Sequence, residues 1–345
     1  MRQFTSSIVA LACVLAFLIS GCAANTSHDI TAQHALVWPP PPAQARIAYE
    51  RNFSKPADLG IARGFLQWLS DVFTGREEFH LIRPMAIVVT TDKQIYVADP
   101  GAGGVHRFDQ QAGKYHLISR ADEQILPSAV GLALGPANSV YVVDSELAQL
   151  FQIRAGAEIA TPLFPQLKLR QPTGIAYDAG TGRLYIADTA QHHILVLSAT
   201  GEVIKTFGRR GHGDGEFNYP TYLWLDARHR LFVTDSLNFR IQIFDQNGNY
   251  LSKFGQHGDG SGNLSRPKGV ALDADGHVYV VDALFHALQI FDEQGHLLLP
   301  VGQRGTSPGE FYLPTGIFID NSSEIYIADS HNQRVQILRY LGEHP

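Results

Sequence analysis

Short apolar runs, each closed by an aspartate, recur along the chain every 44 to 47 residues: Ile95–Asp99, Val140–Asp144, Leu184–Asp188, Leu231–Asp235, Val278–Asp282 and Ile325–Asp329. Each run is apolar on both faces, as a strand sandwiched between two neighbouring sheets must be. In the clearest copy, Arg266–Asp273 precedes the run, Ala287–Asp292 follows it, and His296–Gly302 ends the unit. Four runs of five to seven residues, rich in β-branched and aromatic types and separated by Gly, Asn and Asp, predict a four-stranded antiparallel meander. Nothing recurs at i, i+3, i+4 within a unit, which removes helical repeats of similar period. The pattern therefore predicts an all-β fold, a six-bladed β-propeller with four-stranded antiparallel blades over residues 84–341.

The last unit stops near Tyr340 with three strands. A run that fits no other slot, Arg46–Phe53, lies ahead of the first unit. The sequence thus predicts a ring-closing strand over 45–53, paired with 333–340. Between that strand and the first blade, Ile61, Phe65, Trp68, Leu69, Val72 and Phe73 share one helical face. This predicts one short amphipathic helix over 59–74. It carries a single cation, Arg63, so packing on the propeller is expected over lying on a membrane.

The N-terminus is read as a targeting segment. Arg2 precedes an apolar stretch, Ile8–Ile19, too short to span a bilayer. Leu18-Ile-Ser-Gly-Cys22 resembles the lipobox of bacterial lipoproteins. That resemblance implies a signal peptide over 1–21, cleavage before Cys22 and lipidation of its thiol. Ala23 in place of aspartate further implies the periplasmic side of the outer membrane. Residues 22–44 form the expected tether, with Pro39–Pro42 read as a polyproline II spacer. Cys13 and Cys22 are the only cysteines, so the mature domain holds no disulfide. The formal charge is −6 and no basic run occurs, which argues against a nucleic-acid partner.

Units three to six resemble NHL repeats. Asp235-Ser-Leu-Asn-Phe-Arg-Ile-Gln-Ile-Phe244 and Asp329-Ser-His-Asn-Gln-Arg-Val-Gln-Ile-Leu338 carry that family's core, and Gly-Glu-Phe precedes Pro220 and Pro314. Gly104, Gln149 and Ala287 stand where the family has arginine, and Ala129 replaces a proline. The layout from Trp38 through Gly103 also resembles a group of bacterial NHL lipoproteins.

The repeated aspartates Asp99, Asp144, Asp188, Asp235, Asp282 and Asp329 invite a metal reading, but six equivalent copies point to architecture. A carboxylate at a strand end accepts backbone N–H groups and pairs with Arg240 or Arg334. The glycine-rich stretches 208–215, 255–262 and 302–309 read as crossovers between blades, and three exposed loops on one face form a recognition surface. Fifteen histidines raise the question of zinc. The amidating lyases that share the NHL architecture hold metal on inner strands. The corresponding residues here are Met85, Val130, Thr173, Thr221, Lys268 and Thr315, with no histidine or carboxylate. His192, His193 and His331 read as solvated loop residues, and Tyr222 and Trp224 as packing between blades. No catalytic residue, metal ligand or cofactor is assigned. The expectation is a tethered, non-catalytic platform for a protein or peptide partner on one propeller face. The alternative is a metal-dependent lyase or lactonase, of the amidating-lyase or gluconolactonase kind, at the channel mouth.

Overall fold

The computed structural model of the chain describes residues 36–61 and 79–342. Six antiparallel sheets follow one another, and each blade runs from an inner strand at the axis outward. The inner strands are Ala86–Val89, Ala129–Leu134, Pro172–Asp178, Pro220–Leu225, Pro267–Leu272 and Ile317–Ile319. Blades one to five contain four strands each, and a small hairpin, Arg120–Ala121 with Gln124–Ile125, lies between blades one and two.

The second strands explain why the sheets stack. Every residue of the six second strands is buried, apart from a partly exposed first residue in blades three and six. Their side chains alternate between two seams. In blade three, Leu184 and Ile186 join the core shared with blade two, whereas Tyr185 and Ala187 join the one shared with blade four. In blade six, Ile325 and Ile327 face blade five, and Tyr326 and Ala328 face blade one. A period of two thus feeds both faces of every sheet.

Strand Ile47–Phe53 pairs antiparallel with Arg334–Tyr340 and closes the ring. Its two ends fill adjacent seams. Ile47 packs with Leu338 in the core between blades five and six. Phe53 is fully buried and meets Phe108 of blade one edge-on at 5.2 Å. Blade six gains a fifth strand as well: Val37–Trp38 pairs with Ala48 and Ile47. The stretch around Pro39–Pro42 is therefore no free polyproline rod. It turns the chain between two paired strands, and Trp38 packs on the core shared by blades five and six, close to Gly309.

Of the helix expected over 59–74, only its first three positions fall among the described residues. Pro56–Leu59 is a 3-10 turn, ended by Gly60 in the left-handed conformation, and Leu59 and Ile61 are buried. The signal peptide expected over 1–21 and Cys22 also lie outside the described residues.

Candidate functional site

Crossover loops and the turns after the second strands make one face of the propeller, here the crossover face. The hairpins joining first to second and third to fourth strands make the other, the hairpin face. All six repeated aspartates are fully buried beneath the crossover face. Asp99 accepts the N–H groups of Ile82, Arg83 and Ala102 at 2.7–3.0 Å. Asp144 accepts those of Ser128, Glu146 and Leu147, and Asp188 those of Arg170 and Gln171. Asp282 takes Ser265 and Arg266. Asp235 and Asp329 also receive Arg240 and Arg334, each at 2.8 Å. Every aspartate ties the loop before its inner strand to the turn after its second strand. Burial pushes the Asp235 carboxyl up, against the hydrogen bonds from Asn218, Asn238 and Arg240. Burial also opposes ionisation of Asp99, but the His106 imidazole 3.4 Å away and hydrogen bonds from the Ile82 and Arg83 amides outweigh it and hold that carboxyl low.

The two arginines reach past the aspartates and pin the glycine-rich crossovers. Arg334 donates to the carbonyls of Thr306, Ser307 and Glu310 at 2.7–2.9 Å. Arg240 does the same for His212, Gly213 and Glu216. These loops begin and end on left-handed glycines, Gly208 with φ 89° and Gly215 with φ 75° in the first of them.

His192 departs from the solvated-loop reading. It is buried, and its Nδ1 accepts the Tyr219 N–H at 3.1 Å. His286 repeats the device on the Leu313 N–H at 3.0 Å. The Tyr219 and Leu313 amides need an acceptor there, and a neutral imidazole in the left-handed turn supplies one. His193 is half-buried and His331 is exposed. Among the described residues, no group of three His, Cys, Asp or Glu side chains is arranged to hold a metal.

The axis is plugged. Five units carry Ala86, Gly131, Gly174, Gly269 or Gly316 at the second axial position, and the fourth carries Tyr222. The glycines let neighbouring inner strands approach closely: a Cβ on Gly174 would lie 2.0 Å from the Thr221 carbonyl oxygen. Tyr222 instead extends across the ring and donates its hydroxyl to the Met85 carbonyl of blade one at 3.0 Å. Burial holds its phenol above the ordinary tyrosine range. Farther along the inner strands lies an apolar cavity of about 220 Å³, where Trp224 meets Phe318 at 5.9 Å. At the crossover end, Thr173 and Thr315 donate to the carbonyls of Thr221 and Pro84. Lys268 takes the equivalent place in blade five. Its ammonium has no acceptor among the described residues, and burial, reinforced by Arg266, lowers its pKa.

Ion-paired cations occur on both faces, Arg209 with Glu216 on a crossover among them, and exposed Lys114 and Arg154 on the hairpin face have no ion pair among the described residues. On the hairpin face, Lys93 pairs with Asp320, Arg230 with Asp226 and Glu293, and Arg228 with Glu293. Arg339 near the same face pairs with Glu50 and Glu324. On the crossover face, Arg83, Arg170, Arg210, Arg266 and Arg304 are exposed, and none forms an ion pair among the described residues. Arg304 lies over the Tyr312 ring at 5.2 Å. Ile82, Tyr219, Leu237 and Leu284 add exposed apolar surface. A net-negative chain thus presents one face of unneutralised guanidinium groups among aromatic and aliphatic side chains, the composition of a recognition surface. These cations carried a readable signal, an arginine one or two residues before the inner-strand proline at Pro84, Pro172 and Pro267.

Comparison with known proteins agrees with this architecture. A family described as 6-bladed beta-propeller matches residues 223–283 and 270–341, and the NHL repeat matches residues 169–197. No curated protein sequence matches the chain. Among solved structures, an auxiliary nutrient binding protein from Bacteroides thetaiotaomicron superposes with TM-score 0.60 at 13% identity, covering 76% of this chain and 70% of that one. Virginiamycin B lyase from Staphylococcus aureus gives TM-score 0.55 at 15% identity, over 75% and 95%. A chain of a nidogen/laminin complex gives 0.53 at 20% identity, over 71% and 84%. At these identities the likeness is one of fold.

Proposed function

From the premise that this chain is a six-bladed β-propeller built of NHL repeats, we propose that it is a non-catalytic platform that docks a protein or peptide on its crossover face. The observation that carries this reading is the group of five exposed arginines without ion partners among the described residues, beside exposed Ile82, Tyr219, Leu237 and Leu284 on the crossover face. Rigid scaffolds display recognition loops in this way, and unneutralised charge steers and orients a partner. One of the similar structures is a nutrient binding protein and another is a chain in a nidogen/laminin complex, which supports a binding use of the architecture.

The proposal includes a tether. Lipidation of Cys22 would hold the propeller at the periplasmic side of the outer membrane, with partners in the cell envelope. The support is the apolar stretch Ile8–Ile19 followed by Leu18–Cys22. Cys22→Ser is expected to move the protein from the membrane fraction to the soluble one.

The docking reading is tested by photo-cross-linking in intact envelopes. A photoreactive residue at Leu284 on the crossover face is expected to capture a discrete partner, and one at Ala227 on the hairpin face is not. Capture from Ala227 alone, or a turnover that depends on channel residues, would overturn it.

A further inference from the structure

Between blades three and four the crossover face opens into a polar cleft of about 560 Å³, lined by Ser145, Arg170, Gln171, His192, Arg210 and Tyr219. We propose that this cleft is a carboxylate-binding site that takes an acidic stretch of a peptide or protein, with Arg170 and Arg210 as its two anchors. This deepens the docking reading and rests on it.

Both arginines are fixed at the backbone and free at the side chain. The Arg170 N–H is held by Asp188 at 2.9 Å, and Arg210 bridges to Phe217 across the crossover. Neither guanidinium has a carboxylate or carbonyl partner among the described residues. The adjacent Arg209 makes the contrast: it is paired with Glu216 at 2.8 Å. Two unpaired guanidinium groups in one cleft repel each other, and an anion between them removes that cost while accepting charge-assisted hydrogen bonds. The positive field is felt locally, since Arg210 helps to hold the His192 imidazole below its ordinary pKa.

The repeat supplies an internal control. The corresponding cleft between blades six and one, about 400 Å³, has a single arginine, Arg83, beside Ile82, Gly101 and His331. Blades five and six carry Arg266 and Arg304 at the corresponding places, but Arg304 lies over the Tyr312 ring at 5.2 Å, whereas no ring covers Arg210 among the described residues. The neighbouring surface favours a peptide over a free anion. Tyr219 is exposed beside the cleft with its ring edge-on to His192 at 4.7 Å, and exposed Leu237 is hydrogen-bonded to Asn218 next to it. An acidic side chain flanked by apolar ones finds both kinds of contact here.

The test uses the full-length protein purified in mild detergent, with binding of a hexaglutamate peptide measured by calorimetry at low and physiological salt. We expect saturable binding that weakens with salt. Arg170→Gln with Arg210→Gln should weaken it at least about tenfold. Arg83→Gln should change it by less than about twofold. Unchanged binding in the double variant, or equal binding of hexaglutamine, would overturn the site. Inorganic phosphate or phosphatidylglycerol vesicles bound through the same two arginines, with hexaglutamate ignored, would overturn the carboxylate assignment in favour of a phosphate ligand. Cross-linking at Leu284 reports the docking reading separately. Capture at Leu284 without hexaglutamate binding retires only the cleft, and hexaglutamate binding without capture retires only the platform.

Discussion

The Tyr222 hydroxyl donates to the Met85 carbonyl oxygen at 3.0 Å, joining blade four to blade one across the axis of the ring. The other five units leave that axial position to glycine or alanine, so at this level of the ring the symmetry of the inner strands is broken by a single large side chain. It closes the axis near the crossover face, and a ligand on that face meets a floor and not a tunnel.

Removing that floor has a graded cost. Tyr222→Phe keeps the ring and loses the hydrogen bond, which is expected to lower stability by about 1 kcal/mol. Tyr222→Ala leaves a cavity at the axis and is expected to cost about 3 kcal/mol or more. Urea denaturation of both variants checks the order, and equal losses would mean that the hydroxyl contributes the whole effect.

Arg334 is a second point of sensitivity. Arg334→Ala leaves the Thr306 carbonyl without its donor, the Ser307 and Glu310 carbonyls with only the Glu310 N–H and the Gln336 amide, and the buried Asp329 without its cation. A loss of about 3 kcal/mol is expected. Lysine should restore little of it, because one ammonium cannot reach the four acceptors that the guanidinium fork covers. Thermal denaturation of the alanine and lysine variants provides the comparison.

Acid should loosen the crossover face. Burial, with Arg210 beside one ring and Arg304 beside the other, holds His192 and His286 below the ordinary histidine range. The folded pKa is lower than the unfolded one, so the native state binds fewer protons between the two values. The associated stability is complete above the unfolded pKa, near 6.5, and is lost as pH falls through the folded value. The same protonation removes the acceptor used by the Tyr219 and Leu313 amides. Asparagine tolerates the left-handed backbone at both positions, so His192→Asn with His286→Asn should flatten this part of the decline. Urea midpoints at about pH 7.5 and 5.5 decide it.

Phe53 of the closing strand fills part of the seam between blades six and one. Phe53→Ala empties a fully buried site against Phe108 and is expected to cost about 3–5 kcal/mol. Hydrogen exchange should then show faster opening of strand Arg334–Tyr340 than of the second strands. Uniform acceleration across all six blades would argue that the seam has no separate stability.

The blades were legible because their signal is redundant. Six copies of an apolar run ended by aspartate fix period, strand count and seam, and the unmatched run Arg46–Phe53 leaves the closing strand only one vacant edge. Single-copy features were harder to read. Tyr222 read as interblade packing because its meaning lies in comparison with the glycines of the other units, and its partner Met85 is 137 residues away. His192 read as a loop residue because the Tyr219 amide that it satisfies lies in the next blade. Lys268 stood in the row of inner-strand residues, but a search for histidines and carboxylates passes over a lysine. Trp38 and the prolines after it have the composition of a spacer, and only the strand beside them shows that the chain folds back there.

The closing strand has one more consequence. Glu50 and Arg339, paired across it, are 289 positions apart, so strand Ile47–Phe53 must wait for almost the whole domain before its own partner is available. Five blades assemble from contacts local in sequence, and the sixth depends on the longest-range pairing in the fold. Until then the chain is an open horseshoe with a free strand at one end and an unfilled edge at the other. Either can be satisfied by a second copy, which is strand exchange. Refolding at rising protein concentration is therefore expected to yield a growing fraction of swapped oligomers, each with intact blades and with its rings completed by a neighbour.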